Sequence, residues 1–181
     1  MIQVARDLLG RRLVRWLDGR RVSGFIVEAE AYDGETDLAC HARAGRTPRT
    51  EVMYGPPGRA YVYFTYGMHW CLNCVCGPLG YPAAVLLRAI RPVEGLEIIA
   101  ARRPGRLEAE WCNGPGKLTQ ALGIDGSLNS ADLSAAAGGL WIEAGQPVEE
   151  DRVTVGPRVG IQNVPEPWRS QLWRFRLEEN P

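Results

Sequence analysis

Ala60-Tyr-Val-Tyr-Phe-Thr-Tyr-Gly-Met-His-Trp-Cys-Leu-Asn-Cys-Val-Cys76 is the stretch on which the fold turns. Two runs rich in aromatic and β-branched residues, Ala60 to Thr65 and His69 to Cys76, flank Tyr66-Gly67-Met68. Runs of this kind joined by a glycine turn predict an antiparallel hairpin. Tyr66 and Met68 then sit at its tip, where large apolar groups need either a partner or the cover of another loop. Upstream, Leu13 to Trp16 and Val22 to Tyr32 read as a strand pair; downstream, Ala83 to Ile90 reads as a further strand with Leu86 and Arg88 on one face. Helices are expected at Val4 to Leu9, at Gly95 to Arg103, and from Gly114-Pro-Gly-Lys-Leu118 to Leu122, with Gly10 and Gly123 as stops for the first and last. Short strands near Leu140 to Glu143 and Arg152 to Val155 read as structural closure. The sum is an α+β fold, and without repeats, low-complexity runs or linkers residues 1–181 read as a single domain.

A chain of 181 residues, 45% hydrophobic and 23% charged, is no collagenous, disordered or disulfide-stapled protein and can bury a proper core. Its longest uncharged apolar run, Val75 to Leu87, is broken by Gly77, Pro78, Gly80 and Pro82, far short of the roughly 20 residues of a membrane span. Met1 to Arg15 carries Asp7 and no small-residue cleavage site, so a cytoplasmic protein without membrane partners is expected. Net charge is zero, yet 20 of the 21 basic residues are Arg, and residues 41–120 hold 10 basic against 5 acidic groups. That middle surplus allows a local basic face.

Three constellations carry chemistry. In Val22 to Tyr32, Phe25, Val27, Ala29 and Ala31 fall on one strand face, expected in the core, while Glu28, Glu30 and Tyr32 fall on the other. Two carboxylates and an aromatic thus project from a firm strand, which is how a preorganised site is built. Ala42 to Pro57, with Arg43, Arg46 and Arg49, reads as an Arg-rich surface loop. The cluster His69-x-Cys71-x-x-Cys74-x-Cys76 has the look of a metal motif, but on a strand Cys71 and Cys74 point to opposite faces and cannot share one ion. Buried reduced thiols are expected, and neither metal nor cofactor is assigned. Two further readings stay open. A sugar hydrolase could pair Glu28 with Glu30, roughly 6.6 Å apart by the strand rise, near the roughly 6.5–9.5 Å of inverting enzymes. A non-catalytic zinc or nucleic-acid-binding module would rest on Cys71, Cys74 and Cys76.

The segments Ile26-Val-Glu-Ala-Glu-Ala-Tyr32, Asp37-Leu-Ala-Cys-His41, Gly45-Arg-Thr-Pro-Arg49, Tyr61-Val-Tyr63, Tyr66-Gly-Met-His69 to Asn73, Val85-Leu-Leu-Arg88 and Gly114-Pro-Gly-Lys-Leu118 stand in the order of the alkyladenine (3-methyladenine) DNA glycosylase family. The chain resembles that family over roughly residues 4–176, most specifically from Glu28 to Arg88. The resemblance implies a mixed domain around a curved antiparallel sheet with a protruding β-hairpin, similar to the C-terminal domain of methionyl-tRNA formyltransferase. It also implies a monomer of base excision repair that acts on double-stranded DNA containing damaged purines. Glu30 matches the family's general base and Arg88 the residue that helps hold the attacking water and a phosphate. Tyr32, His41 and Tyr63 match the walls of the base pocket, Asn73 the position that excludes guanine, and Tyr66, with Met68 beside it, the intercalating wedge. Arg43, Arg46 and Arg49 are expected at phosphates on charge alone. The only lysine, Lys117, lies in another segment, so no Schiff base and no strand cleavage are expected.

Overall fold

Side chains alternate between the two faces of a strand, and four neighbouring strands keep that alternation in step. The computed structural model of the chain describes residues 1–178. In chain order it has helix α1 (Ile2–Leu8), strands β1 (Arg12–Leu17), β2 (Arg20–Asp33), β3 (Ala60–Thr65), β4 (His69–Val75) and β5 (Ala83–Glu94), and helices α2 (Leu96–Arg102) and α3 (Pro115–Leu122). Strands β6 (Leu140–Glu143), β7 (Val153–Gly156) and β8 (Arg174–Leu177) follow. The strands form one open antiparallel sheet with the main order β3-β4-β5-β2-β1-β6. One edge of the long β2 serves two neighbours, β1 along Arg20–Phe25 and β8 along Glu28–Glu30, and β8 in turn carries β7. Among the described residues no helix is long and apolar enough to cross a membrane.

One face of the sheet presents Val62, Leu72, Cys74, Val85, Leu87, Ala29 and Ala31 to a core that includes Leu8, Ile99, Leu118 and Leu122 from the three helices. Each fully buried Leu or Ile there contributes about 1.5–3 kcal/mol of transfer free energy. The other face presents Tyr61, Val75 and Ala84, and a smaller cluster of Cys40, Ala42, Met53 and Tyr54 packs over them. Residues 42–57 are therefore more than the surface loop expected from their sequence. Two short 3-10 turns, His41–Ala44 and Glu51–Tyr54, turn Ala42, Met53 and Tyr54 inward and leave the arginines outside.

The expected apolar face of β2 also needs correcting. Ala29 and Ala31 are in the core, but Phe25 and Val27 are not; Val22 and Ile26 take their places. The β2–β5 ladder is irregular between Ile26 and Ala29, and both strands change face across the break, so that Ile26 lies opposite Ile90 while Ala29 lies opposite Leu87. Such breaks re-aim side chains and are invisible to a strict period of two.

The hairpin of β3 and β4 pairs from Ala60 with Cys74 to Thr65 with His69. At its tip Tyr66 and Gly67 both take left-handed backbone angles, φ 52 and 67, which cost a residue with a side chain more than glycine. Nothing lies within 4 Å of a methyl built on Gly67. Gly67→Ala is thus expected to cost about 1 kcal/mol through backbone strain alone, lowering Tm by about 2–4 °C. A thermal melt with no such loss would show that the tip does not need this conformation.

Candidate active site

The face opposite the helices gathers the candidate site residues, because the alternation sets Glu28, Glu30 and Tyr32 on β2 beside Leu86 and Arg88 on β5, Cys71 and Asn73 on β4, and Tyr61 and Tyr63 on β3. Register brings them together: Glu30 lies opposite Leu86, Leu86 opposite Asn73, Asn73 opposite Tyr61, and Cys71 opposite Tyr63. All of them except Glu28 and Glu30 line a cavity of about 520 Å³ whose walls include Tyr32, His41, Tyr61, Tyr63, Asn73 and Arg88, with Tyr66 at its rim.

Glu30 is wholly buried and lies behind that wall rather than on it. One carboxylate oxygen accepts from the Tyr32 hydroxyl at 2.9 Å and from Arg88 Nη1 at 3.3 Å; the other accepts from the Val159 backbone N–H at 2.7 Å. Tyr32, Arg88 and Val159 all reach the cavity, so they stand between the carboxylate and the space a ligand would fill. Burial pushes the Glu30 carboxyl above the ordinary carboxylate range, opposed by Arg88 and by the hydrogen bonds from Val159 and Tyr32. Burial and the neighbouring Glu30 likewise hold the Tyr32 phenol protonated, as a donor. Glu28 is differently placed: it takes Arg88 Nε at 2.9 Å and Arg174 at 3.5 Å, and it does not line the cavity. Two arginines thus occupy the second carboxylate of the sugar-hydrolase reading.

His41 packs edge-on against Tyr63 at 4.5 Å between ring centroids, and its Nδ1 shares a hydrogen bond with the Tyr61 hydroxyl at 3.0 Å. Burial, with Arg49 and Arg43 nearby, lowers its pKa to about 4, so the imidazole is neutral at pH 7. Asn73 is buried and donates to the Tyr61 carbonyl at 3.0 Å, fixing its amide at the cavity wall. Tyr66 and Met68 project from the tip, 82% and 67% exposed, with Tyr66 adjoining the cavity.

The arginines divide. Arg49 lies over the Tyr63 ring at 5.1 Å and Arg43 donates to the Leu38 carbonyl; both border the cavity. Arg46 is instead clasped by Glu51 through two hydrogen bonds, 2.8 and 2.6 Å, with both side chains half exposed. The cysteines part as well: Cys71 faces the cavity and Cys74 the main core. Burial pushes the Cys74 thiol up to about 12, away from the thiolate a metal needs. Among the described residues no three His, Cys, Asp or Glu side chains gather into a group that could hold a metal ion.

Sequence reasoning missed the last part of the site. Residues 156–173, which follow the short strands read as closure, form a strap across it: Val159, Gly160, Ile161, Asn163 and Val164 line the cavity, and Arg158 is buried beside Tyr32. No periodicity marks this stretch. The one local signal is Arg158 itself, a charged residue in the run Val153-Thr-Val-Gly-Pro-Arg-Val-Gly160.

A buried, ion-paired carboxylate thus lies behind an aromatic-walled slot, beside an exposed aromatic tip. The family model described as Methylpurine-DNA glycosylase (MPG) matches residues 1–181, and the chain belongs to that family of DNA glycosylases of base excision repair. Among its relatives, a protein of Carboxydothermus hydrogenoformans is 50% identical over 179 residues, covering 98% of this chain and 90% of the relative. One of Methanocella arvoryzae is 50% identical over 99% of this chain and 88% of its own length, and one of Streptomyces avermitilis 45% identical over 100% and 84%. All three carry the name "Putative 3-methyladenine DNA glycosylase".

Proposed function

We propose that the chain turns an alkylated or deaminated purine out of duplex DNA into the aromatic cavity and hydrolyses its N-glycosidic bond with water activated by Glu30, leaving an abasic site in an uncut strand. The observation that carries this reading is the union, in one cavity, of the exposed Tyr66 tip, the slot of Tyr32, His41 and Tyr63, and the buried Glu30 behind it. A base inside a helix is reached only by extrusion, and extrusion leaves a gap that an apolar wedge can fill. Tyr66, with Met68 beside it, is that wedge. The flipped purine stacks among Tyr32, His41 and Tyr63, and Asn73 crowds the 2-amino group that guanine alone would bring. The relatives' names make 3-methyladenine the first candidate lesion, with hypoxanthine and ethenoadenine as further ones.

Bond cleavage passes through an oxocarbenium-like sugar, and a carboxylate both takes the proton of the attacking water and faces the growing positive charge. Arg88 holds Glu30 ionised and offers its remaining N–H groups to the water and a neighbouring phosphate. Glu30 sits behind Tyr32, Arg88 and Val159, so the attacking water has to reach a carboxylate that these three groups cover. Arg43 and Arg49 take phosphates beside the cavity, and Arg46 joins them by exchanging the exposed carboxylate of Glu51 for a phosphate. The single lysine, Lys117, donates to Asn113 at 2.7 Å and does not line the cavity, which supports hydrolysis without strand cleavage. We also take the sheet to be the one shared with the C-terminal domain of methionyl-tRNA formyltransferase, and the enzyme to act as a monomer on cytoplasmic DNA.

The test is single-turnover release of 3-methyladenine and of hypoxanthine from duplex DNA in EDTA, with alkali revealing abasic sites. Release of at least one base, insensitive to the chelator, with strands intact until alkali is added, is expected. Release of neither base, or strand breaks without alkali, would overturn the reading.

A further inference from the structure

The strap is tied to the site by a buried ion pair. Asp37 holds Arg158 through two hydrogen bonds, and both side chains are fully buried. Asp37 is itself fixed by the backbone N–H groups of Asp33 and Ala39 at 3.2 and 3.0 Å. Arg158 also donates to the carbonyls of Ala31 and Trp168. Its guanidinium lies against two rings, 4.7 Å from the centroid of Tyr32 and 4.9 Å from that of Trp173. The next residue, Val159, gives its N–H to Glu30, and Tyr32 gives its hydroxyl to the same carboxylate.

We infer that Arg158, locked by Asp37, is a positioning residue for base release: it sets the two donors, the Tyr32 hydroxyl and the Val159 N–H, that hold Glu30 ionised and aimed. The inference rests on the proposed role of Glu30. Two features separate it from mere stabilisation. A buried ion pair is often no more stabilising than apolar side chains of the same size, so its presence is better explained by geometry than by net stability. And Arg158 Nε is a buried donor with no partner among the described residues, held beside the Tyr32 and Trp173 rings. Lysine could keep the charge but not the fork or the stacking.

The groups that face Glu30 are Glu28 and Tyr32 from its own strand, Arg88 from β5, Cys71 from β4, Arg174 from β8 through Glu28, and Val159 from the strap. Arg158 reaches the carboxylate only through its neighbours. Arg158→Lys is therefore expected to slow single-turnover release of hypoxanthine from duplex DNA by about 10–10²-fold. It is also expected to move the acid limb of the pH–rate profile upward by about one pH unit, because donors that favour the carboxylate are loosened. Affinity for the same duplex should hold. Trp173→Leu, which removes the outer ring and leaves the ion pair, should move the limb in the same direction. In a Tyr32→Phe background the shift caused by Arg158→Lys should shrink, since one of its two routes is gone.

A folded Arg158→Lys protein with an unmoved acid limb, whatever its rate, overturns the inference. Failure of both Arg158→Lys and Trp173→Leu to fold does so too, assigning the pair to stability. If Glu30→Gln retains activity, the reading of Glu30 has failed instead; if Glu30 proves essential and the acid limb ignores Arg158, only the present inference has.

Discussion

Glu30→Gln is expected to slow single-turnover base release by about 10³-fold or more while leaving lesion binding near its wild-type value. The substitution keeps the shape of the side chain. An amide oxygen can still accept from the Val159 N–H, and the Tyr32 hydroxyl can turn to accept from the amide nitrogen. Arg88 loses one partner but keeps Glu28 at 2.9 Å, so no buried cation is stranded. What disappears is the proton acceptor and the negative charge facing the sugar. Measured turnover with a hypoxanthine duplex, beside anisotropy binding of the same duplex, checks both halves; retained turnover would remove Glu30 as the base. The pH dependence follows from its environment. Burial raises the Glu30 pKa, so the carboxylate forms at higher pH than an ordinary glutamate, and the wild-type rate should climb with pH across that displaced value. The residual rate of the glutamine variant should show no such limb, because nothing titrates in its place.

How much of this was legible in the chain depends on how far apart the partners stand. The hairpin, the glycine-stopped α3 and the shared face of Glu28, Glu30 and Tyr32 follow from spacings of a few residues, and the structure has them at Ala60–Val75, Pro115–Leu122 and β2. The convergence of Tyr32, His41, Tyr63, Asn73 and Arg88 on one cavity came from family resemblance, since no local pattern tells which strands will be neighbours. The face change between Ile26 and Ala29 was hidden because a ladder irregularity is a property of two strands, and in β2 alone the run Phe25-Ile26-Val27 is apolar on both faces and does not mark where the core face changes. Arg158 was hidden by distance: its partners Asp37 and Tyr32 lie more than a hundred residues upstream, and an arginine in a Gly- and Pro-rich stretch reads as surface. The pairing of Arg46 with Glu51 went unread for the opposite reason, as two exposed charges five residues apart in irregular chain make no pattern.

Tyr66→Ala is expected to lower the flipped fraction of a lesion by about 10–10²-fold, read as a smaller fluorescence change from an ethenoadenine reporter in duplex DNA. Extrusion costs a few kcal/mol of lost stacking and pairing, and a base stacked on an aromatic side chain recovers about 1–3 kcal/mol. Tyr66 is positioned to return that energy to the vacated stack: it is the most exposed large apolar residue of the chain's described part and stands on a two-stranded arm beside the cavity mouth. It packs so little against its own chain that truncation should leave the melting temperature unchanged, in contrast to Gly67→Ala one residue on, where the backbone rather than the side chain is altered. The two variants therefore separate the wedge from the turn that carries it. If flipping precedes a slower chemical step, the observed rate of base release under subsaturating flipping should fall by the same factor as the flipped fraction, while its acid limb, set by Glu30, stays where it is. An unchanged reporter signal in Tyr66→Ala would leave the hairpin tip without this role. A displaced acid limb would mean that Tyr66 acts on the carboxylate, which the intervening wall of Tyr32 and Arg88 argues against.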